Sequence, residues 1–86
     1  MRTKIEIIEY LRATIEEATF GRVKAIDIAL DSRLLGEVGL DSLDYATVML
    51  ACEQWSGIKI REDMVQWGQV DTLAKLADLF VTHASL

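Results

Sequence analysis

The 86-residue sequence predicts an all-α fold: a small bundle of three main helices plus one short helix, with a long first loop. Three observations carry this. Apolar residues recur at helical spacing in three separate stretches, each opened by a residue that caps helices well. No segment alternates apolar and polar residues as a half-buried strand does. The residues from Thr19 to Leu40 hold no sustained period, so a long connection separates the first two helices.

Thr3-Lys4-Ile5-Glu6 reads as a capping box, in which threonine and glutamate each serve the other's backbone N–H. Ile5, Ile8, Leu11 (or Arg12), Ile15 and Ala18 follow as the expected core stripe, flanked by Ile7 and Thr14. Arg2, Glu6, Glu9, Glu16 and Glu17 mark the wet side, and the helix is expected over Thr3 to Ala18, ending near Gly21. In the loop, Val23, Ile26, Ile28, Leu30, Leu34, Leu35 and Val38 are spaced as anchors that pin it across the helices. A short helical turn is expected around Ser32–Leu35, capped by Asp31-Ser32.

The second helix is expected from Ser42 to Trp55, stopping at Ser56-Gly57. Asp41 is its N-cap and Asp44, three residues on, the reciprocal acid. Gly39 permits the backbone turn that feeds it. Ser42 is then the first helical residue, its hydroxyl at the mouth of the helix, where N–H groups and the helix dipole favour a phosphate ester. At about 100° per residue, Tyr45, Val48, Met49, Cys52 and Trp55 fall on one side. Thr47, Glu53 and Gln54 fall on the other and take Leu43, Ala46 and Leu50 with them. The helix is thus expected to expose a small apolar strip beginning directly after Ser42.

Ile58-Lys59-Ile60 is an apolar connector, and Arg61–Gln66 a single helical turn with Met64 and Val65 inward. Gly68 is expected to break the chain. Asp71 is expected to cap a last helix, Thr72 to about His83, with Leu73, Leu76, Ala77 and Phe80 on the core face and Lys75 and Asp78 outside. No repeat, low-complexity tract or proline hinge divides the chain, so residues 1–86 are expected to form one domain.

The net charge of −5 argues against nucleic-acid binding. Between Leu34 and Ile58 lie four acids (Glu37, Asp41, Asp44, Glu53) and no Lys, Arg or His, so a partner touching Ser42 is expected to present Lys or Arg. One cysteine excludes an internal disulfide and fits a reducing compartment. With neither a signal-peptide core nor a run long enough to span a membrane, a soluble cytoplasmic protein is the expectation. The exposed strip is too small to require a dimer, so a monomer is expected.

Asp41-Ser42-Leu43, preceded by Gly39-Leu40 and followed by a long apolar helix, resembles the attachment motif of acyl and peptidyl carrier proteins. The order of elements resembles that family along essentially the whole chain, including the long first loop and the capped last helix. The resemblance implies that Ser42 bears 4′-phosphopantetheine, placed there from coenzyme A by a phosphopantetheinyl transferase. It implies a carrier, not an enzyme: the arm's thiol holds the cargo as a thioester. Other implied partners are an acyltransferase or adenylation/ligase enzyme that loads it and a ketosynthase or condensation-type enzyme that receives it. Leu43, Ala46, Leu50 and Glu53 are the expected docking residues, with Asp41 and Asp44 as electrostatic guides and caps. Carriers of fatty-acid synthesis typically have a strongly acidic second helix. This one has only Asp44 and Glu53, and so looks more like free-standing carriers of polyketide or nonribosomal peptide pathways. A fatty-acid carrier is the alternative; an unmodified helical interaction domain, with Ser42 only a cap, is the reading of another class.

Competing chemistry is thin. Cys52 lies on the apolar side of its helix, as a small core residue does. His83 is expected in a fraying, exposed C-terminal turn. One Cys and one His give no metal-ligand spacing, and Gly36 and Gly39 match no phosphate-loop pattern. Asp44 and Glu53 stand more than two turns apart on one helix, too far to share a substrate atom. Trp55 and Trp67 read as core or core-edge aromatics. Asp31-Ser32 imitates the attachment motif, but Arg33 follows where that motif has leucine and no Gly-Leu pair precedes it.

Overall fold

In the computed structural model, which describes residues 3–84, three α-helices build the domain: α1 (Lys4–Ala18), α2 (Ser42–Ser56) and α3 (Leu73–His83). Arg2, expected on the wet side of α1, lies outside the described residues. The Thr3–Glu6 capping box starts α1, with Glu6 N–H donating to Thr3 Oγ1 at 3.2 Å and Thr3 N–H to Glu6 Oε1 at 3.0 Å. The helix stops at Thr19, where Phe20 takes a positive φ of 54° and the Gly21 N–H returns to Glu16 O at 2.8 Å.

The core face of α1 is Ile7, Leu11 and Ile15, all fully buried, whereas Ile5 is 73% exposed. The expected stripe was therefore rotated at its first turn. Ile7, read as a flank, reaches the core because the first turn of α1 overhangs α3, where Lys4 pairs with Asp78 at 2.6 Å.

The first loop is pinned as expected but at different points. Ile28, Leu34 and Leu40 are buried, while Ile26, Leu30 and Leu35 stay exposed. Its short helical piece is a 3₁₀ turn at Ala25–Asp27, not at Ser32–Leu35. The reason is the partner available to each stretch. Ala25 N–H is held by Glu16 Oε1 at 2.8 Å, whereas Arg33 bridges to Thr72 and Leu34 N–H donates to Asp71 O at 2.9 Å. Ala74 N–H donates back to Leu30 O at 2.9 Å, so the loop is tied to the start of α3.

α2 ends on Gly57, which adopts φ 74° and closes the helix through its N–H to Glu53 O at 2.9 Å; a side chain there would be strained. Its inner residues Val48, Met49 and Cys52 are buried, and Trp55 stacks on Tyr10 of α1 with centroids 4.1 Å apart and planes 7° off parallel. α1 packs on both other helices. The connection from α2 to α3 is pegged by buried Ile58 and Ile60 and contains two 3₁₀ turns, Glu62–Met64 and Trp67–Gln69. Met64, expected inward, is 54% exposed; only Val65 of that pair packs on the core. Gly68 does not break the chain but sits inside the second turn with an ordinary φ.

The cap of α3 is Thr72 rather than Asp71: Thr72 Oγ1 accepts the Lys75 N–H at 3.2 Å. Asp71 is occupied by Arg33 at 3.6 Å and Lys75 at 3.4 Å. Leu73, Leu76, Ala77 and Phe80 are fully buried, as the spacing requires. His83 is buried instead of frayed, with Nδ1 3.0 Å from Leu79 O. No strand forms among the described residues beyond the single Arg33–Thr72 bridge, and no helix there is long and apolar enough to cross a membrane.

Candidate attachment site at the start of α2

The chain enters α2 through Gly39, whose φ of 87° is a conformation side chains resist. Asp41 follows in extended backbone and turns its carboxylate onto the helix: Asp44 N–H donates to Asp41 Oδ1 at 2.7 Å. The reciprocal bond, Asp41 N–H to Asp44 Oδ2, is long at 3.5 Å. This box makes Ser42 the first helical residue, exposed at the capped start of α2. Among the described residues its hydroxyl has no hydrogen-bond partner.

Two clefts open beside Ser42, and Tyr45 and Trp67 line both. One, of about 390 Å³, is walled by Leu35, Gly68, Val70 and Asp71; the other, of about 230 Å³, by Ala46, Met49, Glu53 and Glu62. Tyr45 is fixed by donating its hydroxyl to Val70 O at 3.0 Å, and Trp67 meets it edge-on, centroids 6.3 Å apart at 84°. Burial, with Asp71 nearby, pushes the Tyr45 phenol up to about 12, so it stays protonated and a donor.

The remaining named residues divide. Leu43 is 74% and Leu50 56% exposed, and Ala46 and Thr47 are exposed between them, giving the apolar strip its place on the surface. Glu53 differs from the expectation of a solvent-facing acid. It is half-buried, and its Oε2 accepts the Ile60 N–H at 3.0 Å, holding the connector to α2. Asp44 faces Arg22 of the first loop at 3.7 Å, and Arg22 also donates to Gly39 O at 3.4 Å. Cys52 is fully buried, with its thiol pushed up to about 12 by burial and then by Glu53, which leaves it an inert core residue. Among the described residues no group of acids, Cys and His is placed to hold a metal.

Sequence reasoning missed Leu35, Tyr45, Glu62 and Trp67 as neighbours of Ser42, and Arg22 as the partner of Asp44. Four of these five lie on loops or on the α2–α3 connection, where no period reveals a face. Tyr45 did have a signal: three residues after Ser42, it had to lie on the side beneath it.

Fold and site together define a class: a small helical domain that presents an exposed serine hydroxyl at a capped helix start. The family described as PP-binding, the phosphopantetheine attachment site, matches residues 9–80. The chain belongs to this family, whose domain is the site of covalent 4′-phosphopantetheine attachment. No curated protein matches the chain significantly. The residues present fit the group. An accessible hydroxyl is available to a phosphodiester, the first-turn N–H groups and the helix dipole would favour its negative charge, and open apolar walls stand beside it.

Proposed function

We propose that the chain is a carrier protein, residues 1–86 forming one carrier domain, with Ser42 as its attachment residue. The observation that carries this reading is an unpartnered, exposed hydroxyl at the first position of a box-capped helix, in a chain that belongs to the phosphopantetheine family. A phosphopantetheinyl transferase moves the arm from coenzyme A to Ser42. The arm supplies a thiol that holds acyl or aminoacyl cargo as a thioester, so the chain itself needs no catalytic group. Its own residues present, orient and recognise. Asp41 and Gly39 fix Ser42 in space, and the tether gives the cargo a high effective concentration at each partner site.

The cargo pathway in this proposal is polyketide or nonribosomal peptide synthesis, with an acyltransferase or adenylation/ligase enzyme loading the arm and a ketosynthase or condensation-type enzyme unloading it. The sparse acidity of α2 supports this over fatty-acid synthesis. Leu43, Ala46 and Leu50 form the docking strip, with Asp41 and Asp44 beside it and Glu53 behind it as the brace of the connector. The protein works in the cytoplasm, as a monomer.

Intact mass tests the attachment. After incubation with a broad-specificity transferase and coenzyme A, wild type and Ser32→Ala each gain one phosphopantetheine and Ser42→Ala gains none; a wild type that gains nothing refutes the assignment. Loading of the holo form by fatty-acid enzymes alone would refute the pathway. Leu50→Asp, at an exposed position, is expected to slow loading at least several-fold while the unfolding midpoint holds; an unchanged rate removes the strip.

A further inference from the structure

The charge at the mouth of α2 changes when Ser42 is modified, and Arg22 stands where that change is felt. We infer that Arg22 leaves Asp44 for the phosphodiester once the arm is attached. The modified chain then exposes an Asp44 carboxylate that the unmodified chain keeps paired. This rests on Ser42 being the attachment residue.

The stretch from Leu34 to Ile58 holds no Lys, Arg or His, so a cation at this helix start has to come from elsewhere in the chain. Arg22 supplies it from the first loop. Its Nη2 donates to Gly39 O at 3.4 Å and lies 3.7 Å from Asp44 Oδ2. The guanidinium lies against Gly39, where an added Cβ would stand 3.4 Å from Nη1. Gly39 precedes Ser42 and Asp44 follows it, so the two contacts bracket the serine.

The hold on Asp44 is weak. At 3.7 Å it is beyond hydrogen-bond length, and the Arg22 side chain is 55% exposed, so water and salt screen the pair. Both contacts use Nη2, and neither uses the two-pronged grip that a guanidinium offers to a phosphate. Transfer forms the bond from Ser42 Oγ to phosphorus and breaks the pyrophosphate bond of coenzyme A. The adenosine bisphosphate half leaves, and the hydroxyl proton passes to solvent. A neutral hydroxyl thereby becomes a singly charged diester in the same helical turn as the carboxylates of Asp41 and Asp44. The bond to Gly39 O keeps the guanidinium at the mouth of the helix, so a turn of the Arg22 side chain answers the added charge. Asp44 is left with its long bond from the Asp41 N–H, 3.5 Å. The negative charge gained on modification thus reappears at Asp44, next to exposed Leu43. A partner that brings lysine or arginine to this surface meets a different field before and after the arm is attached.

The test compares unmodified and holo protein by nuclear magnetic resonance, after intact mass has confirmed one arm on Ser42. In the unmodified chain Asp44→Asn is expected to move the Arg22 Nε–H signal, and in the holo chain to leave it in place. In the holo chain Arg22→Gln is expected to shift the phosphorus signal of the diester. Arg33→Gln, at a position that faces Asp71 at 3.6 Å instead, is expected to leave that signal unmoved. Amide spectra report that each variant keeps the fold. The inference is overturned by a phosphorus signal indifferent to Arg22→Gln, or by one that answers Arg33→Gln equally. It is also overturned if Asp44→Asn affects the Arg22 signal equally with and without the arm. In each of those outcomes the attachment at Ser42 stands. A wild-type chain that takes no arm overturns the attachment and this inference together.

Discussion

Removing the Asp41 carboxylate tests whether the start of α2 is held as the geometry says. Asp41→Ala deletes the short bond from Asp44 N–H, 2.7 Å long, and losing such a cap costs about 1 kcal/mol. It also removes a negative charge from the positive end of the helix, worth about 0.3–1 kcal/mol at an exposed site. The sum is about 1–2 kcal/mol, which in a domain of this size lowers Tm by roughly 5–10 °C. Asp41→Asn separates the two contributions, because it keeps an acceptor and loses the charge; about half the loss is expected. Asp44→Ala is the internal control. Its backbone bond is already long at 3.5 Å and its pairing with Arg22 spans 3.7 Å with the guanidinium half-exposed, so it costs only about 0.5 kcal/mol. Urea and thermal unfolding followed by far-ultraviolet circular dichroism give the ranking. If Asp44→Ala proves as costly as Asp41→Ala, the asymmetry of the box is wrong and the account of how Ser42 is presented goes with it.

Other substitutions separate core from surface in the same assay. Ile7→Ala, at a fully buried position, is expected to cost about 2–5 kcal/mol, and Ile5→Ala within about 0.5 kcal/mol; the reverse order would restore the rotated stripe. Glu53→Ala leaves the part-buried Ile60 N–H without its acceptor and costs about 1–2 kcal/mol. Glu53→Gln keeps an oxygen in place and is expected to be nearly neutral, so equal losses from both would remove the brace. Cys52 and Tyr45 keep their protons up to about 12 in the fold, from ordinary values of 9.0 and 10.0. The unfolded chain releases both protons earlier, so stability is full below pH 9 and falls as pH rises toward 12. Cys52→Ala should flatten that fall between pH 9 and 10, before Tyr45 contributes; a urea midpoint constant from pH 8 to 11 would count against both burials.

The helices were legible where a local rule settles them alone. The Thr3–Glu6 and Asp41–Asp44 boxes and Gly57 set ends to within a residue, since caps act between residues three or four apart. The core face of α3 was equally plain, because Lys75 and Asp78 leave Leu73, Leu76, Ala77 and Phe80 only one side. What could not be read depends on partners distant in sequence. Ile7 displaces Ile5 because of where α3 lies. The 3₁₀ turn at Ala25–Asp27 depends on Glu16, and Asp71 yields the cap to Thr72 because Arg33 and Lys75 face it. Trp67 read as a core-edge aromatic. It stands beside Ser42 because Ile60, two 3₁₀ turns and the Tyr45–Val70 bond route the connector there.

Distance in sequence also misled the reading of charge, and the correction changes what should drive docking. The stretch around Ser42 holds only acids, which by itself points to a partner recognised through its lysines and arginines. In the fold, Arg22 arrives from the first loop to face Asp44, and Glu53 turns toward a backbone N–H. Asp41 caps the helix through the Asp44 N–H and Glu37 accepts from the Arg33 N–H, so all four acids of this stretch are engaged in the domain's own contacts. Leu43 and Leu50, by contrast, keep most of their exposure, at 74% and 56%. Covering one fully exposed leucine is worth about 1.5–3 kcal/mol, whereas an exposed ion pair contributes about 0–1 kcal/mol and is screened by salt. Under the proposed reading, apolar burial then outweighs charge at this surface, and the carboxylates steer the encounter more than they hold it.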